Sequence, residues 1–193
     1  MPFNTPILLT WLRVALIPLV VGVFYLPDTM LSPFNKGLAS TIVFLVAAAT
    51  DWLDGFLARR WNETSAFGAF LDPVADKLMV AGALLVLVEF RNDINYVAII
   101  AFIIIGREIT ISALREWMAQ IGASTSVAVS SIGKIKTTAQ MVAIPMLLFN
   151  EKLFGVIDTH YWGVHLLWIA TVLTVWSMFY YLRKAWPLMK ESI

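Results

Sequence analysis

The sequence predicts an all-α, polytopic membrane protein of about six transmembrane helices, folded as a single domain over residues 1–193. Three observations predict it. First, 60% of the residues are hydrophobic and only 14% are charged, with a mean hydropathy of +0.79; soluble domains carry roughly 45–50% apolar and about 25% charged residues. A chain this short keeps much of its surface exposed and has no interior large enough to hide that apolar area from water. Second, the apolar residues gather into runs of about 20, the length that crosses a bilayer as a helix. Third, basic residues crowd the ends of alternate runs, as the charge rule for membrane topology requires.

Taken in order, the first run covers 7–26. Thr5 followed by Pro6 supplies an N-cap and a proline at the first helical position. The run carries Arg13, follows no cationic segment and lacks a small-residue cleavage site, so it reads as a retained helix and not a secretory signal. Pro27, Pro33 and Asn35 mark the first reversal, before a run over 37–60. The third run covers 72–90 and Arg91-Asn92-Asp93 ends it. The remaining runs cover 95–118, 134–150 and 162–184, with Asn150 to Asp158 as the reversal between the last two.

With both termini on one side of the bilayer, only Lys36, Arg91 and Lys152 of the 14 basic residues fall on the other. The termini are therefore expected in the cytoplasm. A net charge of +1 argues against a nucleic-acid partner, since such proteins carry a strong basic excess. The absence of cysteine excludes disulfides and thiolate metal sites.

Four of the 13 acidic residues stand where a membrane protein does not carry them without reason. Asp51 and Asp54 close the second run, and Asp72 and Asp76 open the third. Spacings of three and four put each pair on one helix face, and antiparallel packing of the two helices brings the pairs together. Four carboxylates in a partly dry pocket repel one another unless cations lie between them. Oxygen donors with no histidine nearby favour Mg²⁺ or Mn²⁺, and two such ions suit a diphosphate undergoing displacement. The plainer alternative is that these aspartates cap helices, as Asp72 before Pro73 suggests, or pair with Arg59, Arg60 and Lys77. Gly55, in a helix where glycine is unfavourable, is explained either by a ligand close to the backbone or by tight packing. Gly68 is expected in the turn between the two helices. Arg59, one turn beyond Gly55, is within reach of phosphate oxygens.

A second polar group comprises Arg107, Arg115, Lys134 and Lys136, all expected on the cytoplasmic side. Arg107 follows four apolar or small residues and lies within the bilayer, where a charge must be paired or line a cavity. Pairing with Glu108 or Glu116 is one reading. The other is a cradle for a phosphate, which arginine and lysine suit.

The spacing Asp51-x2-Asp54-Gly55-x2-Ala58-Arg59-x8-Gly68-x3-Asp72-x3-Asp76 resembles, at every fixed position, the signature of the CDP-alcohol phosphotransferase family. The resemblance extends along the chain, through Asn4 to Arg13, Arg107-Glu108-Ile109, Leu114 to Trp117 and Gly133 to Gln140. These segments look like those of bacterial members whose acceptor is glycerol 3-phosphate; Ile7 departs, where many relatives carry asparagine. The resemblance implies a six-helix enzyme of the bacterial cytoplasmic (inner) membrane, commonly a homodimer, with its active site open to the cytoplasm. It implies that Asp51, Asp54, Asp72 and Asp76 ligate two divalent cations and that Asp76 is also the general base. Gly55, Arg59 and Ser65 would hold the CDP-diacylglycerol, and the basic group of Arg107, Arg115, Lys134 and Lys136 the acceptor phosphate. A sister transferase acting on serine or inositol phosphate shares the aspartate motif, and a cation transporter would use the same carboxylates differently.

Overall fold

Each apolar run becomes a helix in the computed structural model, which describes residues 5–61, 66–122 and 131–191. Within those ranges some side chains, including those of Asp54, Arg59 and Lys134, lie outside the description. The elements are α1 (Thr5–Gly22), a single 3₁₀ turn (Val23–Tyr25), α2 (Pro33–Trp61), α3 (Ala66–Phe90), α4 (Val97–Gln120), α5 (Ser131–Phe149) and α6 (Thr159–Glu191). Between α5 and α6 the reversal contains a miniature antiparallel ladder, β1 (Lys152–Leu153) on β2 (Ile157–Asp158). Phe154 and Gly155 both take positive φ, and the Val156 amide donates to Leu153 O at 3.2 Å. That is the mirror-image turn whose twist matches a hairpin, and Gly155 adopts it without strain.

Two helix starts differ most from expectation. Proline suits the first helical position because its missing N–H is an orphan there anyway, so α2 begins at Pro33 and not at 37. Asn35 therefore belongs to the helix and not to the reversal. The larger correction concerns α3, which begins at Ala66, six residues before the expected Asp72. Pro73 sits inside the helix, where it forgoes one hydrogen bond without ending the apolar, small-residue segment that precedes it. Asp72 is consequently no N-cap, and Gly68 lies within α3 and not in a turn.

Among the described residues, four helices are long and apolar enough to cross a membrane: Leu8–Tyr25, Pro33–Leu53, Val97–Gln120 and Thr159–Pro187. Large apolar side chains such as Phe102, Val172 and Phe179 point outward from them, as on helices that face lipid or another apolar surface. The protein is all-α and membrane-spanning.

Inside, a main core of Phe44, Met79, Leu84, Leu87, Ile104 and Leu147 and their neighbours joins all the helices. A smaller one, formed by Ile111, Leu114, Met118, Tyr181 and Ala185, fastens α4 to α6. At the end of the bundle holding the start of α2, Gly37 lies against α5 so closely that a Cβ would stand 2.8 Å from Leu148 O. Arg91 caps the same helix end, donating from Nη2 to Leu148 O at 2.7 Å and from Nε to Leu147 O at 3.2 Å. The start of α1, the end of α2 and the starts of α3 and α5 meet at the opposite end, where the acidic residues lie.

Candidate active site

A helix that carries an arginine and a threonine three residues apart presents both on one face. In α1 these are Thr10 and Arg13, and the face is turned toward α2 and α3. Thr10 Oγ1 donates to Asp72 Oδ1 at 2.8 Å. The Arg13 guanidinium is fully buried, and its Nη1 meets both Asp51 Oδ1 at 2.8 Å and Asp76 Oδ1 at 3.0 Å. The two carboxylates remain nearly half exposed, at 43% and 48%. Because both oxygens contact one nitrogen, they lie within about 6 Å of each other. Arg13 thus places a cation between carboxylates that would otherwise repel.

Three of the four predicted aspartates are therefore held by a single face of α1. The side chain of Asp54 lies outside the described residues, as do Gly55, the Arg59 side chain, the Lys134 side chain and Ser65. Among the described residues no group of three or more histidine, aspartate or glutamate side chains is gathered closely enough to hold a metal ion. The donor set nevertheless suits a hard divalent ion: Asp51 and Asp76 offer carboxylate oxygens that already converge on one positive centre.

The second cluster centres on Glu108 of α4. Its Oε1 accepts from Arg107 Nη1 at 3.2 Å and also from Lys136 Nζ of α5. Arg107 donates in addition to Ser177 Oγ of α6 at 3.1 Å. The guanidinium carbons of Arg107 and Arg115 lie 5.8 and 5.6 Å from the centre of the Tyr181 ring, within the range of cation–π attraction. Arg107 and Lys136 are buried, at 8% and 3% exposure. Arg107 pairs with Glu108, and it stands with Arg115 of α4 and Lys136 of α5 in a polar group that Ser177 and Tyr181 of α6 complete.

A cavity of about 320 Å³ joins the two clusters, lined by Asp51, Asp76, Lys77, Glu108, Lys136 and Gln140 among others. Of the four basic residues expected to form a phosphate cradle, Lys136 lines this cavity. Arg107 and Arg115 stand toward α6, where Tyr181 and Ser177 hold them. A larger groove of about 710 Å³ between α4 and α6 is lined by Trp168, Trp176, Phe179 and similar residues, and no carboxylate lines it. Its chemistry is that of a surface for hydrocarbon, so the smaller polar cavity is the candidate site. Both histidines lie at the other end of the bundle, His160 against Asn150 and Asp93 and His165 against Tyr161.

The sequence gives no role to Arg13 beyond its place in the first apolar run, and none to Thr10, Ser177, Tyr181 or Gln140. A charge inside the first apolar run was the available signal for Arg13. Ser177 and Tyr181 gave none, since serine and tyrosine are ordinary in such a helix.

The amino-acid pattern of the CDP-alcohol phosphatidyltransferase family matches residues 3–176. Two of the most similar relatives, from Escherichia coli (strain K12) and Shigella flexneri serotype 5b (strain 8401), are each 55% identical over 185 residues, covering 96% of both chains. Each bears the name CDP-diacylglycerol–glycerol-3-phosphate 3-phosphatidyltransferase. A match over nearly the whole chain, centred on the aspartates that α1 holds in place, makes this protein a member of the CDP-alcohol phosphatidyltransferase family.

Proposed function

We propose that the protein transfers the phosphatidyl group of CDP-diacylglycerol to sn-glycerol 3-phosphate, giving phosphatidylglycerophosphate and CMP, the first step of phosphatidylglycerol synthesis. The observation that carries this reading is the single cavity that Asp51 and Asp76 share with Glu108 and Lys136: a carboxylate centre for a diphosphate beside a cation for a phosphorylated acceptor. The relatives' shared name supplies the donor and the acceptor.

In this reading Asp51, Asp54, Asp72 and Asp76 hold two divalent cations, Mg²⁺ or Mn²⁺. When bound, such ions neutralise the diphosphate and the charge that develops on the leaving phosphate. Gly55, Arg59 and Ser65 hold the nucleotide end of the donor. Lys136 holds the acceptor phosphate, Arg107 and Arg115 add positive charge behind it, and Lys134 belongs to the same basic group. Asp76 takes the proton from the acceptor hydroxyl as its oxygen bonds to the lipid-bearing phosphorus; the link from that phosphorus to CMP breaks in the same displacement. The enzyme spans the bacterial inner membrane six times as a homodimer, with both termini and the site at the cytoplasmic face. Support for that orientation is the basic excess at the site end of the helices.

The test is CMP release from CDP-diacylglycerol by purified protein, with glycerol 3-phosphate, serine, inositol phosphate or no acceptor, in Mg²⁺ or EDTA. Metal-dependent release with glycerol 3-phosphate alone is the expected result. Release with another acceptor would keep the aspartate chemistry and remove the acceptor assignment; no release from folded protein would end the proposal.

Replacing Lys136, which lines the cavity, by alanine should raise the KM for glycerol 3-phosphate by about tenfold or more, as expected for losing one charge-assisted hydrogen bond, and replacing Arg107, which reaches Lys136 through Glu108, should raise it by less. The KM for the lipid donor should change far less. Equal shifts in both constants would show that these residues support the fold of the site and not acceptor binding.

A further inference from the structure

A glutamine is an expensive residue to place in a helix bound for an apolar interior, because its amide must find partners there. Gln140 of α5 is 4% exposed, and its Oε1 has no hydrogen-bond partner among the described residues. A leucine or methionine of similar size would fill the position without leaving a polar atom unpaired. Yet Gln140 lines the same cavity as Asp51, Asp76, Glu108 and Lys136. It stands one turn beyond Lys136 on α5, a rise of about 6 Å along the helix axis.

We infer that Gln140 is a specificity-determining residue that accepts a hydrogen bond from the acceptor's second hydroxyl, the one that does not react. The inference rests on the proposed acceptor. Glycerol 3-phosphate brings a phosphate, a primary hydroxyl that attacks and a secondary hydroxyl between them. That bystander loses its water on entering the cavity and needs an acceptor there. With the phosphate at Lys136, the secondary hydroxyl falls within about a helical turn, the offset at which Gln140 stands. The terminal amide torsion is soft, so Oε1 turns toward a hydroxyl without moving the helix. An amide also suits this task better than a further carboxylate, since it adds no negative charge beside an incoming phosphate.

The prediction separates recognition from support. CMP release is measured from CDP-diacylglycerol with glycerol 3-phosphate and with 3-hydroxypropyl phosphate, which keeps the phosphate and the reacting hydroxyl but lacks the secondary one. Wild type should favour glycerol 3-phosphate by about 10- to 100-fold in kcat/KM, the range for one hydrogen bond to an uncompensated buried group. In Gln140→Leu the preference should shrink to within about threefold, through loss of activity on glycerol 3-phosphate and not on the analogue. Gln140→Met, a second variant of similar volume, should behave alike, and tryptophan-monitored melting in detergent establishes that each is folded. Variants that keep the wild-type preference, or that lower both activities equally, would overturn the inference while leaving the reaction intact. Wild type that uses neither acceptor would instead overturn the acceptor reading on which it rests.

Discussion

Asp76→Asn should leave the protein folded and lower kcat for CMP release by about a thousandfold or more, combining the loss of a general base with the loss of a charge at the reacting phosphorus. Asparagine has the shape of aspartate, and its amide oxygen still accepts from Arg13 Nη1, which stands 3.0 Å from Asp76 Oδ1. The contact that ties α1 to α3 is therefore kept, while the proton acceptor is removed. The comparison that isolates the base is Asp72→Asn. Asp72 accepts from Thr10 at 2.8 Å and, unlike Asp76, is not among the residues lining the cavity. Its replacement should raise the Mg²⁺ concentration needed for half-maximal rate, with a smaller loss at saturating metal. Turnover by Asp76→Asn above roughly a tenth of wild type would remove Asp76 from the base role, since a positioned base contributes at least about a hundredfold.

The aspartates were legible because their spacing is a local property: three- and four-residue steps name a helix face whatever lies opposite. The helices were legible for a similar reason, since long apolar runs fold as helices, and among the described residues four of them are long enough to span a membrane. Their ends were less so. The run at 162–184 stops where Arg183 and Lys184 begin, yet α6 continues to Glu191, with Ala185 buried and Lys190 5.9 Å from the Trp186 ring. Hydropathy marks where lipid ends, and a helix packed on α4 has no reason to end there. The same distinction explains α3. The Asp72-Pro73 pair looks like a start signal, but Pro73 in the second turn is compatible with a helix already under way.

What surrounds the aspartates was not legible, because it depends on which faces meet. Arg107 is expected to pair with Glu108 beside it or Glu116 further along, but Glu108 also pairs with Lys136, 28 residues away on α5. Tyr181, an ordinary aromatic in an apolar run by sequence, is 1% exposed and lies beneath two guanidinium groups. Only the fold reveals that the conspicuous arginines stand behind the cavity and that an inconspicuous glutamine lines it.

Arg13 carries the second large effect. Arg13→Leu should lower the melting temperature measured in EDTA by roughly 3–10 °C, and millimolar Mg²⁺ should restore more of it than Mg²⁺ adds to wild type. Removing one member of a buried ion pair costs about 3–5 kcal/mol. Here the partners Asp51 and Asp76 are nearly half open to solvent, so about 1–3 kcal/mol is the fitting scale, at ~2–4 °C each for a chain of this size. The variant removes the guanidinium that both carboxylates, within about 6 Å of each other, contact, and an ion that binds there stabilises the folded state by mass action. Identical Mg²⁺ shifts in wild type and variant would show that Arg13 is not their counter-ion. Arg13→Lys then separates charge from geometry. It restores a positive charge and with it the melting temperature in EDTA. A flexible ammonium does not hold two carboxylates as a guanidinium fork does, so turnover should recover less than stability. A lysine variant with wild-type kcat would mean that Arg13 acts as charge alone, and that α2 and α3 hold Asp51 and Asp76 in register without it.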